Sequence, residues 1–436
     1  MHARANPGKI ILDVLYVSSF PPQRCGLASY TWNLARSLIR ADPDTRPYVL
    51  SFNCGGTYAS RHTYNGVGVY RILRKGYRSS YNSAAHFVNS SDIDIVHIQH
   101  EFGLFGGVHG SSILPFVEGL RKPFVATFHS MKKASTSIRL TVERIAERAD
   151  RIIVHSDIAA NLLTSHYDIA EEKVQVIPHG VPCVNLSQFD RMDLRKRFGL
   201  KDRLVISNFG LMSTRKGLEY AIQAVKRVVE ELPETLLLII GATHPNILKR
   251  ENERYRESLE NLAASLKMGE NIRFINRFLD EQELVKYLIA SDIYVIPYPY
   301  RDQISSGTLS YALSCGKAII STSFQHAVEL LGGFKTLSRG KAKFGRIIIG
   351  ERGILVPPRD SESITKAIHI LAEDESLKST LEANGYSYTV KRMAWPKVAG
   401  DHLKLYKLSL LRQQSDKESS LTKPIPMHVS AAYSGS

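Results

Sequence analysis

Short β-branched and aliphatic runs recur along this chain, and stretches with a helical period separate them. In the first half they read IILDVLYV (10–17), IDIVHIQ (93–99), FVATF (124–128), RIIVHS (151–156) and KVQVIP (173–178). After residue 200 the rhythm restarts with LVISNFG (204–210), LLLIIGA (236–242), NIRFINR (271–277), DIYVIPY (292–298), KAIIST (317–322) and GILVP (353–357). Between the first two of these, Leu218, Ala221, Ile222, Val225 and Val229 share one helical face. Strands that alternate with helices predict parallel sheets joined by right-handed crossovers. The expected fold class is therefore α/β, with two Rossmann-like doubly wound parallel-sheet domains facing across a cleft. The first spans 1–190 and the second 191–390. The stretch HGVPCVNLSQFDRMDLRKRFGLK (179–201), aperiodic until Asp193, reads as their linker. A helical stretch follows over 391–412, and the polar, proline- and serine-bearing tail 413–436 reads as disordered.

Ligands of open parallel sheets bind beyond the carboxyl ends of the strands, so the loops at 18–27, 99–107, 128–133, 209–217, 241–246 and 299–308 should converge on the cleft. One of them is a candidate anion cradle. In RDQISSGTLSYALSCGKAIIS (301–321), Ser306, Gly307 and Thr308 precede a helix whose apolar face is Leu309, Ala312 and Leu313, with Gly316 as its cap. Backbone N–H groups, hydroxyls and the positive helix end could hold a phosphate there, although the motif alone also describes an ordinary capped helix. Arg215 and Lys216 stand just before another helix start, where cations are unfavourable unless an anion offsets them. Gly210 and Gly241 stand at strand ends, and Gly26 opens the helix that follows the first strand and its two-proline loop; glycine there permits close backbone approach to a ligand. His129 follows FVATF, and His100 and Glu101 follow IDIVHIQ, so all three are expected at the cleft floor. Asp92-Ile-Asp94 imitates a metal-binding pair but precedes its strand, at the wrong end of the sheet.

Composition narrows the partners. At 436 residues, with 43% hydrophobic and 23% charged, the chain is of ordinary globular type and long enough for two cores. The four cysteines, Cys25, Cys54, Cys183 and Cys315, lack paired spacing, which argues against a zinc site or disulfide framework and for a reducing, cytoplasmic setting. The amino-terminal apolar run carries Asp13 and no small-residue cleavage pattern, and so reads as a strand; no segment reaches the ~20 uncharged apolar residues of a membrane span. Net charge is +15, with basic clusters at 71–75 and 335–352. That excess suits a phosphorylated small molecule or peripheral contact with an anionic membrane. Nucleic acid is not expected, because no helix-turn-helix, zinc-finger or RNA-recognition pattern is present.

Taken in order, PPQRCGLASYTWNLA, ATFHS, AERADRIIVHSDIAANLL, VIPHGV, FGLMSTRKGLEYAIQAV, ASDIYVIPY, ALSCGKAIISTS and GILVPPRDSESI resemble the retaining glycosyltransferases of family 4, over about residues 10–410. The resemblance implies the GT-B architecture, a carboxyl-terminal helix around Trp395 that crosses back onto the first domain, and sugar transfer from a nucleotide-diphosphate donor to a saccharide or lipid-linked acceptor. No metal or other cofactor is implied. By position, Arg215 and Lys216 fall at the family's diphosphate clamp, Gly26 on its glycine loop, His129 on the histidine that contacts the donor sugar, and Ser306, Gly307 and Thr308 in the phosphate-holding loop. The family's glutamate pair maps onto Gln303 and Tyr311, and its usual arginine onto Leu211, which marks a divergent branch. His100 and Glu101 are acceptor-side candidates. The lost glutamates keep two alternatives open: a catalytically inactive nucleotide-sugar-binding protein and a GT-B nucleotide-sugar epimerase.

Overall fold

The computed structural model describes residues 11–53, 60–131, 135–332 and 347–421. Strands Leu12–Val17 (β1), Thr45–Phe52 (β2), Ser60–Tyr64 (β3), Val67–Leu73 (β4), Ile95–His100 (β5), Phe124–Phe128 (β6), Arg151–Val154 (β7) and Val174–Val176 (β8) form one sheet in the order β3-β4-β2-β1-β5-β6-β7-β8. A second sheet holds Leu204–Phe209 (β9), Thr235–Ile240 (β10), Ile272–Ile275 (β11), Ile293–Ile296 (β12), Ala318–Thr322 (β13), Ile348–Ile349 (β14) and Ile354–Val356 (β15) in the order β11-β10-β9-β12-β13-β15-β14. Pairing is parallel throughout, except that β3 and β14 run antiparallel to β4 and β15. Helices cover both faces, so β1 and β10 are buried at every position and the strands read as continuous apolar runs. In each sheet the order reverses beside a central strand, β1 or β9, and the loops leaving those strands open a crevice.

Strands β2 to β4 of the first sheet and the short β14 of the second are absent from the sequence expectation. Pro47 lowers the strand signal of β2, yet it pairs only with Val14 of β1, because β4 begins opposite Tyr48 and leaves that edge open. Between β3 and β4, Asn65 and Gly66 both have positive φ (45° and 85°), the two-residue hairpin turn that Asn-Gly favours. Arg71, read from the sequence as part of a basic cluster, is buried in β4, and its guanidinium donates to the Pro21 carbonyl at 2.5 Å, shaping the loop after β1.

The linker is more ordered than its lack of period suggests. Asp190 caps a helix over Arg191–Arg197, accepting from the Asp193 amide at 3.0 Å, and Arg191 and Arg195 both reach the part-buried Asp292 carboxylate of the second domain. Val181 pairs with the residues around Ala394, after which the last helix, Trp395–Leu421, lies back along Gly26–Ala41 and buries Trp395, Val398, Ala399 and Tyr406 against Val14, Tyr16 and Leu34. That helix runs to Leu421, so disorder from 413 is corrected: i→i−4 bonding carries through the polar stretch. Residues 422–436 and most of the basic segment 332–350 lie outside the described residues. Among the described residues no helix is long and apolar enough to cross a membrane.

The two domains hold each other by polar contacts. Ser156 Oγ donates to the Ile304 carbonyl at 3.0 Å. The Glu329 carboxylate accepts the Asp157 and Ile158 amides at 3.0 Å each, placing a negative charge on the first turn of the helix Asp157–Tyr167. Asn33 and Arg36 of the first domain meet Glu281 and Tyr311 of the second.

Candidate active site

The second domain supplies one side of the crevice from three strand ends. After β9, Gly210 turns with φ 141°, a short 3-10 turn spans Thr214–Lys216, and Gly217 (φ 60°) starts the helix Leu218–Glu231. After β12, Tyr298 leads into the loop that ends at Ser306, which caps the helix Gly307–Ser314 by accepting from the Leu309 amide at 3.3 Å. After β10, Gly241 lies behind the site. A Cβ on Gly241 would stand 2.1 Å from the Gly210 carbonyl oxygen, so its place in the expected donor site is corrected: its backbone is packed under Gly210.

Lys216 and Thr308 meet at one point. Lys216 Nζ donates to the Tyr298 hydroxyl at 2.7 Å, and that hydroxyl lies 3.1 Å from Thr308 Oγ1. Opposite them, a Cβ on Gly210 would be 3.4 Å from Thr308 Cγ2 and 3.5 Å from Lys216 Nζ. Among the described residues no carboxylate pairs with Lys216, so its charge is uncompensated. Burial pushes the Tyr298 phenol up, but the Lys216 ammonium and the surrounding hydrogen bonds outweigh it and leave the phenol below its ordinary value.

Several expected donors do not reach this point. Arg215 is exposed, pairs with Asp302 at 3.1 Å and lies over the Tyr300 ring at 4.9 Å; it sits on the rim, where the Asp302 carboxylate holds it. The Ser306 amide donates to His326 Nδ1 at 3.0 Å, because burial keeps that imidazole neutral, with its pKa lowered to about 3. The remaining contributions of the cradle are the Ser306 and Thr308 hydroxyls and the helix start at Gly307. Gln303 folds onto its own loop, Nε2 donating to the Ser305 carbonyl at 2.6 Å. Tyr311 donates to Glu281 Oε2 at 2.9 Å and accepts from Asn33 Nδ2 at 3.0 Å, so its expected donor contact is corrected to an interdomain bond.

On the first domain, Gly26 is exposed at the start of its helix, with open space over its Cα. Cys25 Sγ caps that helix, accepting from the Ala28 amide at 3.3 Å. His129 stands at the end of β6, but both ring nitrogens are engaged within the domain. Nδ1 lies 3.2 Å from His155 Nε2, and Nε2 lies 2.6 Å from the Gln99 side-chain amide. His155 Nδ1 in turn donates to the Ile177 carbonyl at 2.9 Å, and because the Gln99 oxygen facing His129 Nε2 can only accept, the His129 proton sits on Nε2. Burial, then the neighbouring imidazoles, hold His129 neutral. The expected sugar contact is thus not visible in its nitrogens. His100 is a clear correction: fully buried among Phe102, Phe105 and Phe128, its pKa lowered to about 3 by burial, it cannot touch an acceptor. The polar end of β5 passes that role to Glu101, which accepts from Ser130 Oγ at 2.9 Å and from the Gly103 amide at 3.0 Å. Across the crevice stands His244. Partial burial lowers its pKa first, Lys216, Arg250 and Lys75 lower it further, and Glu101 opposes them. Asp94 Oδ2 accepts the Asp13 amide at 2.8 Å, a strand-end contact remote from this chemistry, and among the described residues no group of three or more His, Cys, Asp or Glu is arranged to hold a metal.

Residues 25–185 match the model of Glycosyltransferase Family 4, and residues 190–388 that of Glycosyl transferases group 1, one on each domain. The chain is a family 4 glycosyltransferase. It has the GT-B fold. The glycosyltransferase is 22% identical, over 88% of its length and 94% of the relative's, to the GDP-mannose-dependent alpha-(1-6)-phosphatidylinositol monomannoside mannosyltransferase of Mycolicibacterium smegmatis. It is 26% identical to a D-inositol 3-phosphate glycosyltransferase of Streptomyces bingchenggensis, over 66% of this chain and 62% of that one. In fold it resembles Anabaena HepE, solved with UDP, with a TM-score of 0.66 at 15% identity, covering 91% of this chain and all of that one.

Tyr298, Glu281, His326 and Glu329 were not singled out by the sequence. Tyr298 was hidden inside the strand-like run DIYVIPY, which ends as a strand at Ile296. The other three act on partners 20 to 248 positions away, a range at which no sequence period points to them.

Proposed function

We propose that this glycosyltransferase moves a glycosyl group from a nucleoside-diphosphate sugar to a hydroxyl of a saccharide or lipid-linked acceptor, with retention of anomeric configuration and without a metal ion. The observation that carries this reading is the uncompensated Lys216 ammonium beside the Thr308 hydroxyl and the bare Gly210 backbone, a cationic notch at the switch point of the second sheet. The bond from the sugar's anomeric carbon to the diphosphate oxygen breaks, its electron pair leaving with the diphosphate. The acceptor oxygen bonds to that carbon from the same face, and its proton passes to a departing phosphate oxygen. Lys216, Thr308 and the helix start at Gly307 stabilise the charge that develops on the leaving group, and the domains hold donor and acceptor in register. Glu101, oriented by Ser130 and Gly103, supplies an acceptor contact on the opposite wall. Guanosine and uridine diphosphate sugars are the first donors to try, since those nucleotides are named for the relatives above.

Lys216→Ala should lower kcat/KM by about 10²-fold or more, the scale of losing one preorganised charge stabiliser, while the melting temperature holds. Near-normal turnover removes the reading. Retention is read from the product's anomeric NMR coupling, and metal independence from unchanged turnover in a chelator. The Tyr311–Glu281 bond, standing where the family carries a glutamate, favours one rival, an inert nucleotide-sugar-binding protein; saturable donor binding with no transfer to any acceptor would establish it.

A further inference from the structure

Tyr298 has no role in the scheme above, yet it touches both groups assigned to the diphosphate. Its side chain is 6% exposed. The ring stacks on Phe324, with centroids 5.1 Å apart and planes at 26°, and the Tyr298 carbonyl accepts from Thr322 Oγ1 at 2.8 Å. The phenol is therefore held from below by packing and from behind by β13, and its oxygen has one place to be. That place lies 2.7 Å from Lys216 Nζ and 3.1 Å from Thr308 Oγ1, while the Lys216 ammonium also lies 4.5 Å from the ring centroid.

Donor and acceptor counting fixes the direction of the Lys216 bond. An ammonium only donates, so the phenol oxygen accepts from Lys216. The phenolic proton can then go to Thr308 Oγ1 at 3.1 Å, which leaves the Thr308 proton for Ser306 Oγ at 3.2 Å or for an incoming anion. Ser306 Oγ already accepts from the Leu309 amide and likewise has its proton to give. One phenol thus sets an ammonium and a hydroxyl as donors to the same spot. A carboxylate in its place would orient Lys216 equally well but would neutralise it. A phenol orients the cation and leaves its charge for an incoming anion.

We infer that Tyr298 is a positioning residue for sugar transfer, its hydroxyl aligning Lys216 and Thr308 on the diphosphate of the donor. This rests on the function proposed above, because it takes the notch to be the diphosphate site. The alignment matters most when charge accumulates on the leaving group, so it should be felt in kcat more than in donor KM.

The discriminating variant is Tyr298→Phe, which keeps the ring, the Phe324 stack and the cation–π contact and removes only the hydroxyl. Transfer is measured with the wild type, Tyr298→Phe, Lys216→Ala and the double variant, alongside calorimetric titration of each with UDP, GDP and inorganic pyrophosphate. The expected result is a fall of about 10- to 100-fold in kcat for Tyr298→Phe, less than about 3-fold change in donor KM, an unchanged melting temperature, and less than about 2-fold further loss when the hydroxyl is removed from Lys216→Ala. Wild-type kcat in Tyr298→Phe overturns the inference, as does an equal loss in the Lys216→Ala background, which marks a purely structural phenol. Should the wild type bind a nucleoside diphosphate but transfer nothing, the functional reading fails separately; the positioning role then stands if Tyr298→Phe weakens that binding about 10-fold only while Lys216 is present, and falls if it does not. Absence of binding by all three probes overturns it as well.

Discussion

Acid should unfold this protein well before its carboxylates protonate, because its interior histidines are sealed as neutral rings. His100, His155, His326 and His402 are each no more than 3% exposed, and burial lowers their pKa values to about 3, 4, 3 and 4. In the unfolded chain each returns to about 6.5. Below that value the unfolded state binds protons that the native state refuses, so stability is fully present above pH ~6.5 and declines as pH falls towards the folded values. At pH 5.5 an unfolded histidine is about 90% protonated and a buried one almost not at all, which costs about 1.4 kcal/mol per residue. Four of them sum to about 6 kcal/mol, comparable with the whole stability of a typical domain. The part-buried carboxyls Glu329 and Asp150, whose pKa values burial raises, act with the opposite sign and trim this slope. Urea unfolding at pH 7.5, 6.5 and 5.5 measures it: stability should fall by several kcal/mol across the last step. His402→Leu, which removes one titrating ring from the cluster with His97 and Tyr406, should recover about 1.4 kcal/mol of the loss at pH 5.5, the share of a single histidine. A stability that is level between pH 7.5 and 5.5 would refute the reasoning.

Two further outcomes test the site and the join between domains. Gly307→Ala places a Cβ 2.9 Å from His179 Nε2, and that ring is pinned by the Gly180 carbonyl and by Tyr30 and Trp395, so the helix start must shift. Turnover should drop at least 10-fold, with about 1–3 kcal/mol lost in stability, and wild-type kinetics would contradict the packing. Glu329→Ala removes the acceptor of the Asp157 and Ile158 amides, so native-state hydrogen exchange at those two positions should accelerate about 5- to 30-fold, equivalent to about 1–2 kcal/mol, while β6 amides stay unchanged. Unaltered exchange at Asp157 and Ile158 would show that the cross-domain cap is not formed in solution.

Much of the scaffold was legible before any coordinates. The runs FVATF and KAIIST fall within one residue of β6 and β13, because a strand buried on both faces must be apolar at every position and is bounded by residues that turn. The hairpin of β3 and β4 was missed although Asn65-Gly66 announced it, since the exposed edge strand β3 and the alternately buried β4 lack the apolar continuity that marked the others.

Within the site, sequence placed Lys216, Gly210 and Thr308 at strand ends and hence on one rim; periodicity and turn chemistry are local and suffice for that. It could not say which way Arg215 turns, that the Ser306 amide is taken by His326, or that His100 is sealed among phenylalanines. Those outcomes depend on partners distant in the chain, and a side chain chooses among reachable partners only once packing has fixed the distances. Local pattern thus determined the two sheets and the loops that meet between them, while the tertiary structure alone decided which charges stay unpaired there, because pairing depends on distances in space and not on spacing along the chain.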